Sequence, residues 1–204
     1  VGHDRVLVAP FANETDDTAF DPLSSIVADW LSQGIARTRL VKVVPLAVAV
    51  EDGGSLETAP GRRVSALERV RARALGARAG IVVWGSFVHL GDSLRFQASI
   101  TDAKTGELLQ DVATVVGPAN TPLVAVEALR RKVLAALAPA VDQRMAAWAR
   151  VASVPPSYEA YLAFADGLDA FAHGQSNRSA MEPLLRAYAL DTACACKRET
   201  PSGS

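Results

Sequence analysis

The amino-acid sequence predicts an α/β fold, with a mixed β-sheet in the order β-α-β-α-β-β-β-α followed by a helical hairpin. In the first half of the chain, short apolar runs typical of buried strands alternate with segments whose apolar residues recur every three or four positions, as on one face of a helix. Around the middle of the chain, at residues 81–116, three strand-like runs follow one another with only short turns between them, which predicts an antiparallel meander.

The first strand and the first helix are both marked by proline. Residues 5–11 form a short apolar run ended by Pro10, which predicts a buried strand. Asp21 and Pro22 predict the start of a helix, because an aspartate side chain caps free backbone N–H groups and proline fits the first helical position. The apolar face of this helix is expected to be buried, and it consists of Leu23, Ile26, Val27, Trp30, Leu31 and Ile35.

The meander has the clearest β pattern. Apolar and polar residues alternate from Leu94 to Thr101, which is the period of a strand with one buried face. A long helix is expected after it, with an apolar stripe that begins at Leu123. The other expected elements are strands at 40–50, 81–88 and 108–116 and helices at 62–78, 121–150, 158–173 and 178–190.

Composition excludes several classes of function. Hydrophobic residues make up 50% of the chain and charged residues 21%, so the chain can bury a core. With 21 basic and 22 acidic residues the net charge is -1, which argues against a nucleic acid or an anionic membrane as partner. No apolar run approaches the ~20 residues that span a bilayer. We therefore expect a soluble domain with no membrane insertion of its own, and the start at Val1 indicates a piece of a longer protein.

Metal, cofactor and catalytic motifs are not found in the sequence. Cys194 and Cys196 have one residue between them, not the two of a redox or zinc motif, and the three histidines are far apart. Neither a phosphate-binding glycine loop nor a G-x-S-x-G motif occurs, so Ser86 is expected to be a small strand residue and not a nucleophile. We expect no metal, no cofactor and no catalytic residue in this chain.

Two charged segments are candidate binding sites. The acidic one follows the first strand, where open α/β sheets commonly bind ligands, and it could hold a cation or a basic partner. The basic one lies on the second helix and could dock an acidic surface. For each segment a solvated surface is the simpler interpretation. The residues are Glu14, Asp16 and Asp17 in the acidic segment and Arg62, Arg69 and Arg73 in the basic one.

Three segments resemble, in the right order, the TolB-like amino-terminal domain, a family related to flagellar and curli outer-membrane assembly proteins. They are VLVAPFANETD at 6–16, LGARAGIVVWGS at 75–86 and GDSLRFQASITDAKTG at 91–106. The resemblance covers residues 4–150 and implies a TolB-like α/β domain, which we assign to residues 1–150.

The residues after Pro155-Pro156 resemble a tetratricopeptide unit, with YEAYLAFADG at 158–167 similar to its first helix. We assign this helical hairpin to residues 155–191. One such unit cannot bury both of its faces, so the resemblance implies further repeats or packing on the preceding helix. Residues 192–204 are polar and are expected to form a disordered tail.

This pair of domains resembles the sensor region of bacterial serine/threonine protein kinases and related one-component regulators. The resemblance implies a non-catalytic sensor or protein-interaction region, downstream of an effector domain that this sequence lacks. Its partner would be a protein or peptide, further repeats or a sister subunit, and not a nucleic acid. The location would be extracytoplasmic if a membrane span separates it from a kinase, and cytoplasmic otherwise.

The alternative is an envelope-associated assembly component related to TolB-like proteins. Such a component would use sheet edges and helices to oligomerise. For the sensor or interaction region, the topology places the expected contact surface at the ends of the first and third strands. The expected contact residues are Phe11, Asn13, Thr15, Gly85 and Ser86.

Overall fold

The computed structural model describes residues 3–45, 65–142, 145, 157–172 and 177–196. The chain divides into two compact units, Val1–Leu137 and Ala138–Ser204. The division falls within a long helix, whereas the sequence patterns place the end of the α/β domain at residue 150. In the part of the chain that the structure describes, no helix is long and apolar enough to cross a membrane.

One mixed sheet forms the centre of the first unit. In chain order the elements of the chain are β1 (Arg5–Val8), β2 (Ala12–Asn13), a 3-10 helix (Thr18–Phe20), α1 (Asp21–Thr38), β3 (Lys42–Val44), α2 (Ala66–Gly76), β4 (Ile81–Leu90), β5 (Ser93–Asp102), β6 (Leu108–Pro118), α3 (Pro122–Val141), α4 (Tyr158–Ala172) and α5 (Asn177–Cys196). The strand order in the sheet is β3-β1-β4-β5-β6, and the short strand β2 pairs with β4.

The sheet has a parallel half and an antiparallel half. Strands β3, β1 and β4 are parallel, as expected of strands joined by helical crossovers. Strands β4, β5 and β6 are antiparallel and are joined by short turns. The expected α/β class and the order of the main elements are therefore confirmed.

The expected strand at 5–11 is split in two. The N–H of Ala9 still bonds to the Val83 carbonyl at 2.8 Å, but Pro10 has no N–H to donate, and the N–H of Phe11 bonds to Ser24 of α1 at 3.2 Å. The chain returns to the sheet only at β2. Since the ladder is broken over these residues, the end of the strand bends toward α1.

Helices cover both faces of the sheet. On one face, Ala74 and Val70 of α2 pack in a cluster with strand residues such as Leu7 and Val82, and Trp84 lies against the same cluster. On the opposite face lie α1 and α3. There the rings of Phe87 and Phe96 are 5.6 Å apart in the buried core.

The start of α1 differs from the expectation for Asp21. Asp21 is the first residue of the helix, and the residue at the N-cap is Phe20, which makes no side-chain cap. Asp17 is the residue that caps, because its Oδ1 accepts from the N–H of Ala19 at 2.9 Å at the 3-10 helix. The Asp21 carboxylate instead accepts from Asn13. An aspartate therefore does cap this turn, but one turn earlier than the sequence suggested.

Helix α2 begins with a capping box. The Ser65 hydroxyl accepts from the N–H of Glu68 at 3.1 Å, and the Glu68 carboxylate accepts from the N–H of Ser65 at 2.8 Å. The acid at the third helical position thus satisfies a donor that would otherwise be free. Residues 46–64, which include the end of the expected strand at 40–50 and Arg62, lie outside the described residues.

The second unit contains the expected helical hairpin. Helices α4 and α5 pack against each other, with Tyr161 and Ala187 among the buried residues. Helix α5 continues to Cys196, beyond the expected end at Leu190, so the start of the segment at 192–204 is helical and not a disordered tail. Alanines at 193 and 195 favour this continuation because alanine has the highest helix propensity. Residues 197–204 lie outside the described residues.

Candidate functional site

The residues expected at the contact surface do come together at the end of the sheet. Strand β2 pairs with β4 so that Ala12 is opposite Ser86. Phe11 packs directly on Gly85, where an added Cβ would lie 2.5 Å from the ring. The segment after β1 and strand β4 therefore lie side by side, as the topology predicted.

They do not form one surface, however. Phe11 is 1% exposed and belongs to the core, so its ring is not available to a partner in this structure. Gly85 is opposite Ala98 on the face that holds the core, whereas Ser86 is opposite Gln97 on the other face. Successive strand residues point to opposite faces, so a side chain at position 85 would point away from that of Ser86, although the backbone of Gly85 and Ser86 borders the same cleft, described below.

Asn13 and Thr15 shape the loop that follows β2. The amide of Asn13 donates to Asp21 Oδ1 at 2.7 Å and to the Asp17 carbonyl at 3.0 Å. Its Oδ1 accepts from the N–H of Thr15 at 3.0 Å and from the Thr15 hydroxyl at 2.6 Å. Two donors and two acceptor positions are thus in use, which is the full capacity of an asparagine side chain. A role of these residues toward a partner stays a prediction.

The acidic segment is exposed and irregular. Asp16 has a positive φ of 60°, which is uncommon for a residue other than glycine. Glu14 and Asp17 are exposed beside it. Among the residues that the structure describes, no group of three or more His, Cys, Asp or Glu side chains could hold a metal ion.

The basic segment is described only in part. Arg69 and Arg73 are exposed one helical turn apart on α2, and Arg62 lies outside the described residues. Arg71, between them, donates to the carbonyls of Ala103 and Lys104 at 3.1 and 2.8 Å, and so ties α2 to the β5–β6 turn. Docking of an acidic partner on Arg69 and Arg73 stays a prediction.

A surface that the sequence did not indicate lies across α1 and α3. The Trp30 indole donates to Glu127 Oε2 at 3.1 Å, and the aliphatic part of Arg130 packs over Gly34. From the first contact to the second, the position moves about one turn toward the C-terminus on both helices, from 30 to 34 on α1 and from 127 to 130 on α3. The two helices therefore run parallel. Extending this register one turn back brings Ile26 level with the first turn of α3.

Apolar side chains are exposed along this α1–α3 surface. Trp30 is 41% exposed, Ile26 42% and Leu123 47%, and the neighbouring Val124 is 65% exposed. The apolar stripes of the two helices predicted burial for the first three of these residues. The stripes are wider than the strip that each helix presses against the sheet, so their outer edges remain in solvent. This α1–α3 surface comprises Ile26, Trp30, Leu123 and Val124.

Trp30 is held in place by an ion pair. Arg130 donates to both oxygens of Glu127, at 2.8 and 2.6 Å, in a bidentate arrangement. The Arg130 hydrogen bond, with help from Trp30, lowers the pKa of Glu127 to about 2, so this carboxylate stays ionised and keeps accepting from the indole. The tryptophan is therefore fixed in orientation although a large part of its ring faces water.

A small polar cleft opens on the other face of the sheet, with a volume of about 190 Å³. Trp84 forms one side of it, and its indole donates to the buried Thr101 hydroxyl at 2.9 Å. The pairing of β5 with β6 shifts register between Phe96 and Ala98, which re-aims the β6 side chains at this point. The cleft is lined by Trp84, Gly85, Ser86, Gln97, Ser99, Asp111, Val112 and Thr114.

No protein-family model matches this sequence, and no curated protein matches it significantly. Several solved structures have a similar fold. The LpoB C-terminal domain from Salmonella enterica is 15% identical, with 57% of this chain and 83% of that chain covered and a TM-score of 0.46. Lipoprotein GNA1162 from Neisseria meningitidis is 18% identical, with 61% and 91% covered and a TM-score of 0.42.

TolB from Acinetobacter baumannii is 14% identical to this chain, with a TM-score of 0.40. The match covers 67% of this chain and 29% of that one. These likenesses concern the fold alone. The tetratricopeptide resemblance and the kinase association stay predictions.

Proposed function

We propose that this chain is a non-catalytic protein-interaction module that binds a protein partner through the α1–α3 surface. The single observation that carries the proposal is Trp30, a half-exposed aromatic ring that a hydrogen bond to Glu127 already holds in one orientation. Binding such a ring costs little side-chain entropy, because the entropy was lost on folding. Tryptophans of this kind are the residues that dominate the binding energy of protein interfaces.

The surroundings of Trp30 favour a protein over a small ligand. Ile26, Leu123 and Val124 extend the apolar area along two helices without enclosing a pocket, which suits a complementary apolar segment. At the edge of the surface, Arg131 is 64% exposed and only 4.0 Å from Glu127, whose charge Arg130 already balances. The partner segment is therefore apolar at its centre and carries a carboxylate toward Arg131.

Two described carboxylates are unsuited to acid–base catalysis, which fits a non-catalytic role. Glu127 and Asp102 have pKa values lowered to about 2, each by a hydrogen-bonded partner. A general acid or base at neutral pH needs a pKa near 7, so both shifts have the wrong direction for that role. Their geometry explains them as structural contacts: Glu127 pairs with Arg130, and Asp102 accepts a hydrogen bond from His3.

The role of the whole protein is a separate proposal, more specific than that of a protein-binding surface. We place the envelope-associated component before the kinase-linked sensor. One of the neighbours reported above is described as a lipoprotein, and none of those three is described as a kinase. The proposal of a protein-binding surface does not depend on this choice. Fractionation of the native organism, with detection of the protein in envelope or cytoplasm, tests it separately.

Site-specific cross-linking tests the binding surface. A photo-reactive amino acid at Ile26 or Val124 should capture one defined protein in the native organism, whereas the same group at Leu108, 55% exposed on β6, should not. The captured protein is then purified, and its affinity is measured. Trp30→Ser should weaken binding at least tenfold, and Leu108→Ser, the control, should leave it unchanged. An unchanged affinity of Trp30→Ser, with its fold intact, would contradict the proposal.

A further inference from the structure

We infer that the polar cleft between Trp84 and β6 binds a single pyranose ring of a carbohydrate. The cleft lies on the opposite face of the sheet from α1 and α3, so it is separate from the protein-binding surface proposed above. Its volume of about 190 Å³ equals that of roughly six water molecules, which matches one sugar ring and is too small for a nucleotide.

Strand pairing builds the cleft as two short rows of side chains across three strands. In one row Trp84 is opposite Ser99, and Ser99 is opposite Asp111. In the other row Ser86 is opposite Gln97, and Thr114 joins it from the strand beyond, at the register shift of β6. The rows lie on hydrogen-bonded strands, and the register shift of β6 at Gln97 fixes which of its side chains reach the cleft.

Trp84 gives the cleft a rigid apolar side. Its indole N–H is used by Thr101, and its ring lies against the apolar cluster beneath α2. The N–H is therefore occupied within the fold, while the ring contributes to the cleft lining. A rigid aromatic surface beside polar groups suits a ring that carries C–H groups on one face and hydroxyls at its edge.

The polar groups of the cleft are available to a ligand. The only hydrogen bond that the structure describes among their side chains joins Ser99 to Asp111 at 3.4 Å, which is long. Within the described residues, the side chains of Ser86, Gln97 and Thr114 make no hydrogen bond. Together they present hydroxyls, an amide and a carboxylate, which both donate and accept, as the hydroxyls of a sugar require.

The charge of the cleft points to a neutral ligand. Asp111 is the one charged group among the lining residues, so a phosphate or another anion would be repelled. Arg95 extends from the same face of β5 but is not among the lining residues. One carboxylate is too few to hold a metal ion, and the polar lining disfavours an apolar ligand.

The test is an NMR titration of the full chain with methyl β-D-glucopyranoside, methyl β-D-galactopyranoside and methyl α-D-mannopyranoside. At least one should bind with a dissociation constant of about 1 mM, as expected for a single ring in an open cleft. The indole signal of Trp84, assigned with Trp84→Phe, and the backbone amides of 97–99 and 111–114 should shift and saturate. The indole signal of Trp30 should stay in place.

Two substitutions decide whether the cleft is the binding site. Asp111→Asn and Gln97→Ala should each weaken binding at least fivefold, while their spectra otherwise match the parent. The matched controls, Asp92→Asn at the β4–β5 turn and Gln110→Ala on β6, should bind as the parent does. The inference is overturned if no glycoside gives a saturable shift, or if both cleft variants bind with the parent's affinity.

Discussion

Replacing Gly85 by alanine should separate β4 from β5 at the point where the loop after β1 meets the sheet. A Cβ at this position would lie 2.1 Å from the Gln97 carbonyl oxygen, which is backbone, and 2.5 Å from the Phe11 ring. The oxygen must retreat by about 0.9 Å before the contact reaches 3.0 Å, the shortest approach that Cβ atoms tolerate. Neither neighbour is the flexible end of a long side chain, so relief requires the strands to move.

The cost follows from what this movement disrupts. A shift of about 0.9 Å lengthens the ladder hydrogen bonds beside Gly85 beyond the ~3.2 Å of a normal bond, and two weakened bonds cost about 1 kcal/mol each. Displacing the buried Phe11 ring adds about 2 kcal/mol. The lower entropy of the unfolded alanine chain offsets up to ~1 kcal/mol. The free energy of unfolding should therefore fall by about 3 kcal/mol, from a typical total of about 5–15 kcal/mol.

Urea denaturation followed by circular dichroism measures this loss. The midpoint should fall while the slope of free energy against urea stays near that of the parent. Gly91→Ala is the matched control, because no atom lies within 4 Å of its added Cβ and only its φ of 57° is unfavourable. We expect it to lose about 1 kcal/mol. The reasoning is refuted if Gly85→Ala loses no more than this control.

Three further predictions concern single hydrogen bonds. The hydrogen bond from His3, at 2.8 Å, lowers the pKa of Asp102 from 3.8 to about 2. This stabilisation is present above about pH 4 and is lost as the pH falls toward 2. Asp102→Asn should therefore lower the free energy of unfolding by about 1–2 kcal/mol at pH 7 and make it less dependent on pH below pH 4. An equally steep dependence in the variant would contradict this. Ser65→Ala should cost about 1 kcal/mol by removing the cap of α2, whereas Ser65→Asn, which can also cap, should cost much less, and equal losses would argue against the cap. Trp84→Phe should lower the free energy of unfolding by about 1 kcal/mol because the buried Thr101 hydroxyl loses its donor. In a protein that already carries Thr101→Val, the same change should cost less than half as much. An unchanged cost would show that the hydrogen bond contributes nothing.

The sequence was sufficient for the local elements of the fold. The alternation from Leu94 to Thr101 identified β5, and the apolar faces identified the helices, because each pattern reflects the period of one element. Ends of elements were less accurate where the deciding partner is distant. The first strand broke because Phe11 donates its N–H to Ser24 of α1. The end of α5 was missed for a local reason, because alanine favours helix beyond the last apolar residue of the pattern.

The candidate sites needed the tertiary structure. The sequence placed the loop after β1 beside Gly85 and Ser86, as in the structure, because parallel strands end at the same edge of a sheet. It could not show that the Asn13 side chain is fully hydrogen-bonded within its own loop. Nor could it pair Trp30 with Glu127, 97 positions away, or place Asp111 beside Ser99 and Trp84.

Taken by itself, the sequence determined what depends on neighbours along the chain: the class of fold, the order of strands and helices, and the absence of a basic excess. The tertiary structure alone decided which apolar residues are covered, as Ile26 and Leu123 belong to apolar stripes and are nevertheless exposed. It also decided which polar groups meet. The physical reason is that periodicity records the side of an element on which a residue lies, whereas exposure and hydrogen bonding depend on how far a second element, distant in sequence, extends over that side.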